Sequence, residues 1–240
     1  MIRALIISMY YALYVPVAAI VGFPSLFLTG RIDFLWKIAL AGAQFGAWMV
    51  GVRWEAIGCE RLDPNQTYIF MANHQSNIDP PVLVPLIGRR VFILVKKELF
   101  RIPILGYAMR RARFIAVDRA NREAAVESVR QAIDVLNSGL SLMVYPEGTR
   151  SRDGRLLPFK KGPFHLAMDS GVPVVPVTIV GAHEVWPKGE FRLTPGLIRV
   201  IFHPAVDPHA FASREELMEA VRATIEDGLP EQQRATSVPH

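Results

Sequence analysis

Residues 67–82 read Thr67-Tyr-Ile-Phe-Met-Ala-Asn-His-Gln-Ser-Asn-Ile-Asp-Pro-Pro-Val82. Thr67 to Met71 is a short apolar run bounded by polar residues, the pattern of a buried strand. Pro80 and Pro81 suit the first turn of a helix, where their fixed φ helps and no N–H is needed. The residue before a proline is pushed away from helical angles, which places Asp79 at the end of the intervening loop. Five positions along a helix rotate a side chain by about 500°, so helical His74 and Asp79 would point about 140° apart. In a strand-to-helix loop they can meet, and such loops carry the reactive groups of open α/β sheets. On these residues alone a second reading stands equally: Asp79 caps the helix and His74 is a polar loop residue.

Further along, Pro146-Glu147-Gly148-Thr149-Arg150-Ser151 follows another strand-like run, Leu142 to Tyr145. A flexible glycine, a hydroxyl, a carboxylate and a guanidinium lie together there. Arginine matches phosphate oxygens bidentately, and backbone amides of a tight turn add donors. By itself the segment reads somewhat better as a turn with a structural Glu–Arg pair.

Working outward, Val91 to Val95, Phe114 to Val117, Val174 to Val180 and Ile198 to Phe202 also read as short buried strands. Helices alternate with them. Arg122 to Asn137 places Val126, Val129, Ile133 and Leu136 on one face, with Gly139 just beyond its end. Lys161 to Asp169 reads as a second, and a third begins at Ser213, where Ser213 and Glu216 have capping-box spacing, and ends near Gly228. The pattern predicts an α/β fold: a central mixed sheet flanked by helices, preceded by an N-terminal two-helix membrane-embedded motif. The expected divisions are a hydrophobic anchor at residues 1–57, a catalytic domain at 58–229 and a disordered tail at 230–240.

The anchor rests on charge. No charged residue occurs from Ala4 to Gly30 or from Ile38 to Val52, and Arg31-Ile-Asp-Phe-Leu-Trp-Lys37 separates the two runs. The first run exceeds the roughly 20 residues that span a bilayer, but Pro16 and Pro24 are expected to kink or interrupt it. The second has 15 residues, about 22 Å of helix against a core about 30 Å thick. Either the first run spans and the second lies against the membrane, or both form a hairpin embedded in one leaflet. The hairpin is the favoured reading because the second run is too short to span. A signal peptide fits poorly, because the first run far exceeds the about 7–15 apolar residues of such a peptide.

Mean hydropathy is +0.24 and half the residues are apolar. The lone Cys59 excludes a disulfide framework and a clustered-cysteine zinc site. From Arg53 to Lys161 there are 18 Lys and Arg against 11 Asp and Glu. No nucleic-acid motif accompanies this charge, so no nucleic-acid partner is expected. Beside an anchor, a basic face meets anionic lipid headgroups, at about 1 kcal/mol per cation. His165, His183, His203, His209 and His240 show no ligand spacing, so no metal site is expected.

Taken together, His74-x4-Asp79 and Pro146-Glu-Gly-Thr-Arg-Ser151 resemble motifs of the glycerolipid acyltransferases, specifically the bacterial 1-acylglycerol-3-phosphate acyltransferases. Phe114-Ile-Ala-Val-Asp-Arg119 resembles the family's apolar block ending in arginine, and Val172-Pro-Val-Val-Pro-Val177 its Val-Pro block. Val95-Lys-Lys-Glu-Leu99 resembles its Ala-Lys-x-Glu-Leu stretch. The resemblance runs over about residues 65–180 in the family's order. Two departures stand out: Arg113 occupies a position usually glycine, and Tyr145 one usually phenylalanine.

The resemblance implies transfer of an acyl group from acyl-CoA or acyl carrier protein to the sn-2 hydroxyl of 1-acylglycerol-3-phosphate (lysophosphatidate), forming phosphatidate. His74 would be the general base, a role suited to an imidazole, which titrates at about 6.5 in water. Asp79 would fix its tautomer. Glu147, Gly148, Thr149 and Arg150 would bind the glycerophosphate, with Lys96 and Arg119 adding positive charge. No cofactor is implied beyond the acyl donor itself. No Gly-x-Ser-x-Gly elbow and no thiol near the motifs is present, so transfer without an acyl-enzyme is expected. The implied setting is the cytoplasmic face of a bacterial inner membrane, where the Asn65-Gln-Thr67 sequon stays unused. Another lysophospholipid or a lyso-ornithine lipid is an alternative acceptor. A non-catalytic, anionic-lipid-binding membrane protein is the alternative of a different class, and a hydrolase comes third.

Overall fold

A computed structural model describes residues 2–118, 122–190 and 193–234; Arg119 and residues 235–240 lie outside the described set. Seven strands form one sheet: β1 (Val52–Ile57), β2 (Ile69–Ala72), β3 (Val91–Lys96), β4 (Ile115–Val117), β5 (Ser141–Val144), β6 (Val174–Val180) and β7 (Gly196–Phe202). Their order is β1-β7-β6-β2-β5-β3-β4. All neighbours are parallel except the antiparallel pair β6 and β7. The sheet is therefore mixed, as expected.

β2 is the middle strand, and all four of its residues are buried. Its side chains alternate between two cores, as strand geometry requires. Phe70 and Ala72 join Val177, Val200 and Phe202 on one face. Ile69 and Met71 join Leu142 and Val174 on the other, beneath α5 (Arg122–Asn137), α6 (Gly162–Ser170) and α7 (Arg214–Asp227). The chain leaves β2 toward β3 on one side, whereas β5 connects across β2 to β6 on the other. This is a topological switch point, where the carboxyl ends of the strands frame a crevice.

The N-terminal runs fold as an antiparallel pair, α1 (Ile2–Thr29) and α2 (Asp33–Met49). The expected interruption of the first run does not occur, since α1 passes through both Pro16 and Pro24. Contacts to α2 are made on either side of Pro16. Before it, the Tyr14 hydroxyl donates to the Ile38 carbonyl (2.8 Å) and the Tyr10 hydroxyl to that of Gly42 (3.1 Å). After it, Leu26 packs with Ile32 and Leu35. A Cβ on Gly42 would collide with the Tyr14 ring, so glycine there is a condition of close approach. Only Ile7, Gly22 and Leu26 of α1 are buried, and α1 is long and apolar enough to cross a membrane.

Three expected boundaries need correction. The anchor does not extend to residue 57, because Val52–Ile57 is a sheet strand paired in parallel with β7. The tail is not disordered from Pro230: Glu231–Gln233 forms a 3-10 turn, and Gln233 is buried because its amide finds partners inside. The helix α3 (Asp79–Leu86) begins at Asp79 itself, one residue earlier than the proline rule placed it. The element α4 (Pro103–Arg111) had no counterpart in the sequence reading. Just past its end, Arg113 takes φ 63°, a left-handed angle at which glycine is usual after a helix. Its guanidinium donates to Ser138 Oγ at 2.6 Å, which offsets part of that strain.

Candidate active site

β2 and β5 are neighbours, and the two motif loops leave their carboxyl ends side by side. The first loop is held from several directions. Asn73 brackets the backbone of Ile179 on β6, accepting from its N–H (2.7 Å) and donating to its carbonyl (2.9 Å). Ser151 N–H donates to the His74 carbonyl at 2.8 Å, which ties the second loop to the first. The Ser76 hydroxyl donates to the Trp186 carbonyl at 2.7 Å.

His74 Nδ1 lies 2.7 Å from Asp79 Oδ2. The same oxygen accepts the backbone N–H groups of Gln75 and Ser76, each at 2.8 Å. Asp79 is fully buried, while the His74 side chain keeps 17 % of its surface. The second reading, with Asp79 as a cap only, is thus set aside: Asp79 binds both the loop backbone and the imidazole. With Nδ1 engaged, His74 presents Nε2 as its second nitrogen. The ring stacks on Tyr145 with centroids 3.9 Å apart and planes 10° apart. Burial, then the Asp79 charge, pushes the Tyr145 hydroxyl well above its ordinary range, so it stays protonated.

The second loop divides at Gly148, whose φ of 72° lets the chain turn back sharply. Glu147 points inward and Thr149 outward. The expectation that Glu147 meets the glycerophosphate is corrected by its position. It is 2 % exposed, and its two oxygens accept from His74 N–H (2.5 Å) and Leu157 N–H (2.8 Å). Glu147 braces the histidine from behind. Burial raises its pKa to about 7, although both amides favour the anion.

Arg150 is directed to the first loop, where its guanidinium donates to the Asn77 side-chain oxygen. Lys96 is exposed at the end of β3, beyond β5. Arg119 lies outside the described residues. Among the described residues no three His, Cys, Asp or Glu side chains converge on one point.

Several contributors were not legible in sequence. Gln75 donates to Gln233 Oε1 (2.9 Å) and to the Gly154 carbonyl (2.8 Å), while Gln233 donates to Glu184 at 2.6 Å. The C-terminal turn therefore latches onto the histidine loop, and no local motif around Gln233 announces it. Lys188 was also missed. Its ammonium donates to the Arg150 carbonyl (2.6 Å) and to Thr149 Oγ1 (3.2 Å).

The family model for acyltransferases matches residues 53–180, more than half of the chain and both motif loops. The chain belongs to the acyltransferase family. A 1-acyl-sn-glycerol-3-phosphate acyltransferase of Limnanthes douglasii is 41 % identical over 161 residues, 67 % of this chain and 57 % of that protein. This acyltransferase thus spans a little over half the length of that plant relative. The alpha form from Mus musculus is 31 % identical over 232 residues, 92 % of this chain and 81 % of its own. The crystal structure of the 1-acyl-sn-glycerophosphate acyltransferase PlsC from Thermotoga maritima superposes with a TM-score of 0.78 at 31 % identity, covering 95 % of both chains. That likeness includes the α/β fold. Family membership together with the exposed apolar α1 associates this acyltransferase with a membrane.

Proposed function

We propose that the chain is a 1-acylglycerol-3-phosphate acyltransferase, moving a fatty acyl group from acyl-CoA or acyl carrier protein to the sn-2 hydroxyl of lysophosphatidate to give phosphatidate. One observation carries the mechanism: His74 is locked to Asp79, while the nearby serine hydroxyls are engaged elsewhere and the Tyr145 hydroxyl is buried and held protonated. Ser76 donates to the Trp186 carbonyl and Ser151 to Asp153. The nucleophile is then the acceptor lipid's own hydroxyl. His74 Nε2 takes its proton as the oxygen attacks the thioester carbonyl. The tetrahedral adduct collapses, the C–S bond breaks, and the imidazolium returns the proton to the leaving thiolate. Asp79 keeps Nδ1 protonated and stabilises the transient imidazolium. Atoms balance between the two substrates, with His74 as the only proton carrier. Positioned bases contribute about 10²–10⁴-fold, and alignment of two bound substrates adds to it. Arg150, with Lys96 and Arg119 from the family's pattern, supplies cations for the acceptor's phosphate.

The setting follows from the hairpin. Tyr107 of α4 stacks on Phe27 near the end of α1, and Arg111 donates to the Gly30 carbonyl in the hairpin turn. The turn is therefore fastened to the α/β domain, and Ile7 and Tyr11 near the other end of α1 pack against its core. This arrangement favours a hairpin lying in one leaflet. The cytosolic donors favour the cytoplasmic face of a bacterial inner membrane. A two-chain product is held by about 0.8 kcal/mol per buried CH₂, so a site at the interface suits its release.

Inside-out inner-membrane vesicles carrying the chain, given lysophosphatidate and acyl-CoA, should form phosphatidate, and sealed right-side-out vesicles should not. His74→Ala should lower the rate about 10³-fold or more while the protein stays folded by circular dichroism. Full activity in His74→Ala would overturn the mechanism. Equal activity in both vesicle types would overturn the sidedness.

A further inference from the structure

Cations on this domain fall into two groups, according to what holds them. Arg90 pairs with Asp33, Lys97 with Asp118, Lys161 with Glu215, and Arg199 with Glu55. Each of those charges is offset by a carboxylate. Lys188 and Arg150, like Arg89, Arg111 and Arg113 elsewhere on the domain, are held by neutral acceptors, and these two alone of that group reach the two motif loops. Lys188 donates to a carbonyl and a hydroxyl, and Arg150 to a side-chain amide oxygen. Neutral acceptors fix the position of a cation without cancelling its charge. No salt bridge is formed by either residue among the described residues.

Their placement is built, not incidental. Ser76 and Pro187 form a bridge between the histidine loop and the 186–188 segment, and the Ser76 hydroxyl bonds to Trp186. Lys188, next along, reaches across to the Gly148–Arg150 turn. Two cations thus come from segments tied to the histidine loop, Arg150 through Asn77 and Lys188 through its neighbours Trp186 and Pro187. An ammonium has three donors, and two are used here, which leaves one for a ligand. Lys188 lies beyond residues 53–180, the stretch that carries the family's motifs.

We infer that Lys188 is an acceptor-specificity residue that binds the phosphomonoester of the lysolipid together with Arg150. A dianionic phosphate placed between them would gain charge-assisted hydrogen bonds from both. An acceptor lacking the phosphate would leave the two cations unpaired, so selectivity follows from the same pair. This rests on the proposed lysophosphatidate acylation.

The test compares lysophosphatidate with monoacylglycerol, which lacks the phosphate, in detergent-purified full-length protein. Lys188→Met should lower the ratio of kcat/KM for lysophosphatidate over monoacylglycerol by about ten- to hundredfold, chiefly through KM for lysophosphatidate. Lys188→Arg, which keeps the charge, should hold that ratio within about threefold. An equal loss on both acceptors would overturn the inference and make Lys188 only a brace for the 148–150 turn. Calorimetric binding of sn-glycerol 3-phosphate gives an answer independent of turnover. The wild-type chain should bind it, and Lys188→Met about tenfold more weakly. Equal affinities would overturn the inference. Phosphate-dependent binding lost in Lys188→Met, without acylation by the wild type, would uphold Lys188 and refute the acyltransfer reading alone.

Discussion

The histidine loop and helix α1 invert the usual distribution of residues in opposite ways, and each inversion has its own remedy. In the loop, polar groups are buried: Asn73, Gln75, Ser76 and Asp79 are all at 2 % exposure or less. In α1, apolar groups are bare: Leu13, Ile20 and Leu28 are exposed by 72 %, 73 % and 86 %. Burying polar groups is tolerated only when most of them are hydrogen-bonded, and the loop is bonded from three sides, with Gln75 Oε1 and Asp79 Oδ1 its buried atoms without a partner among the described residues. Asp79 Oδ2 accepts three donors, Asn73 completes a backbone pair on β6, and Glu147 accepts the His74 amide. No such internal remedy exists for α1. Its remedy is a different solvent, the hydrocarbon of a membrane.

The largest effects should come from breaking the loop's compensation. Asp79→Ala removes the acceptor for two backbone amides and should cost about 2–5 kcal/mol in denaturant unfolding. Asp79→Asn retains an acceptor for those amides but loses the charge behind the imidazole. Its activity should fall about 10³-fold or more, with a much smaller loss of stability. Equal stability losses in the two variants would show that Asp79 does not support the loop backbone.

Breaking the other side of the comparison should leave the fold alone. Leu13→Glu with Ile20→Glu places two charges on the exposed face of α1. Vesicle binding should weaken about a hundredfold, while the melting temperature of the detergent-free protein moves by no more than about 2 °C. Unchanged vesicle binding would mean that this face does not enter lipid.

The finest effect concerns pH. Burial holds the Glu147 carboxyl at about 7, above its ordinary 4.5, so the fold favours the protonated acid. Its contribution to stability is full below about pH 4.5 and is lost as pH rises through about 7, a swing of up to about 3 kcal/mol. Unfolding free energies of wild type and Glu147→Gln measured from pH 4 to pH 8 should therefore differ in slope, the wild type losing more as pH rises. Parallel curves would show that the buried carboxylate is ionised throughout.

Much of this was written locally. The strands around β2, the helix Arg122–Asn137 and the two motif loops were legible because apolar period, proline position and glycine placement act over a few residues. β1 was not, although Val52-Arg-Trp-Glu-Ala56 alternates as a half-exposed edge strand does, because it follows directly on the apolar start and reads as part of it. The passage of α1 through two prolines was equally hidden, because the contacts that accompany it come from α2. Motif membership also misplaced Glu147. A carboxylate beside Gly-Thr-Arg reads as part of a ligand site until the turn at Gly148 is seen to send it inward.

By itself the sequence determined which chemistry this protein carries: an imidazole and a carboxylate in a loop between strand and helix, a glycine turn with an arginine, and an apolar start that water cannot satisfy. Only the tertiary structure decided which side of each loop faces the substrate. Residue type fixes what a side chain can do. The direction in which it does so depends on backbone turns and on partners more than a hundred residues away, as when Gln233 fastens Gln75 and Ile179 fastens Asn73.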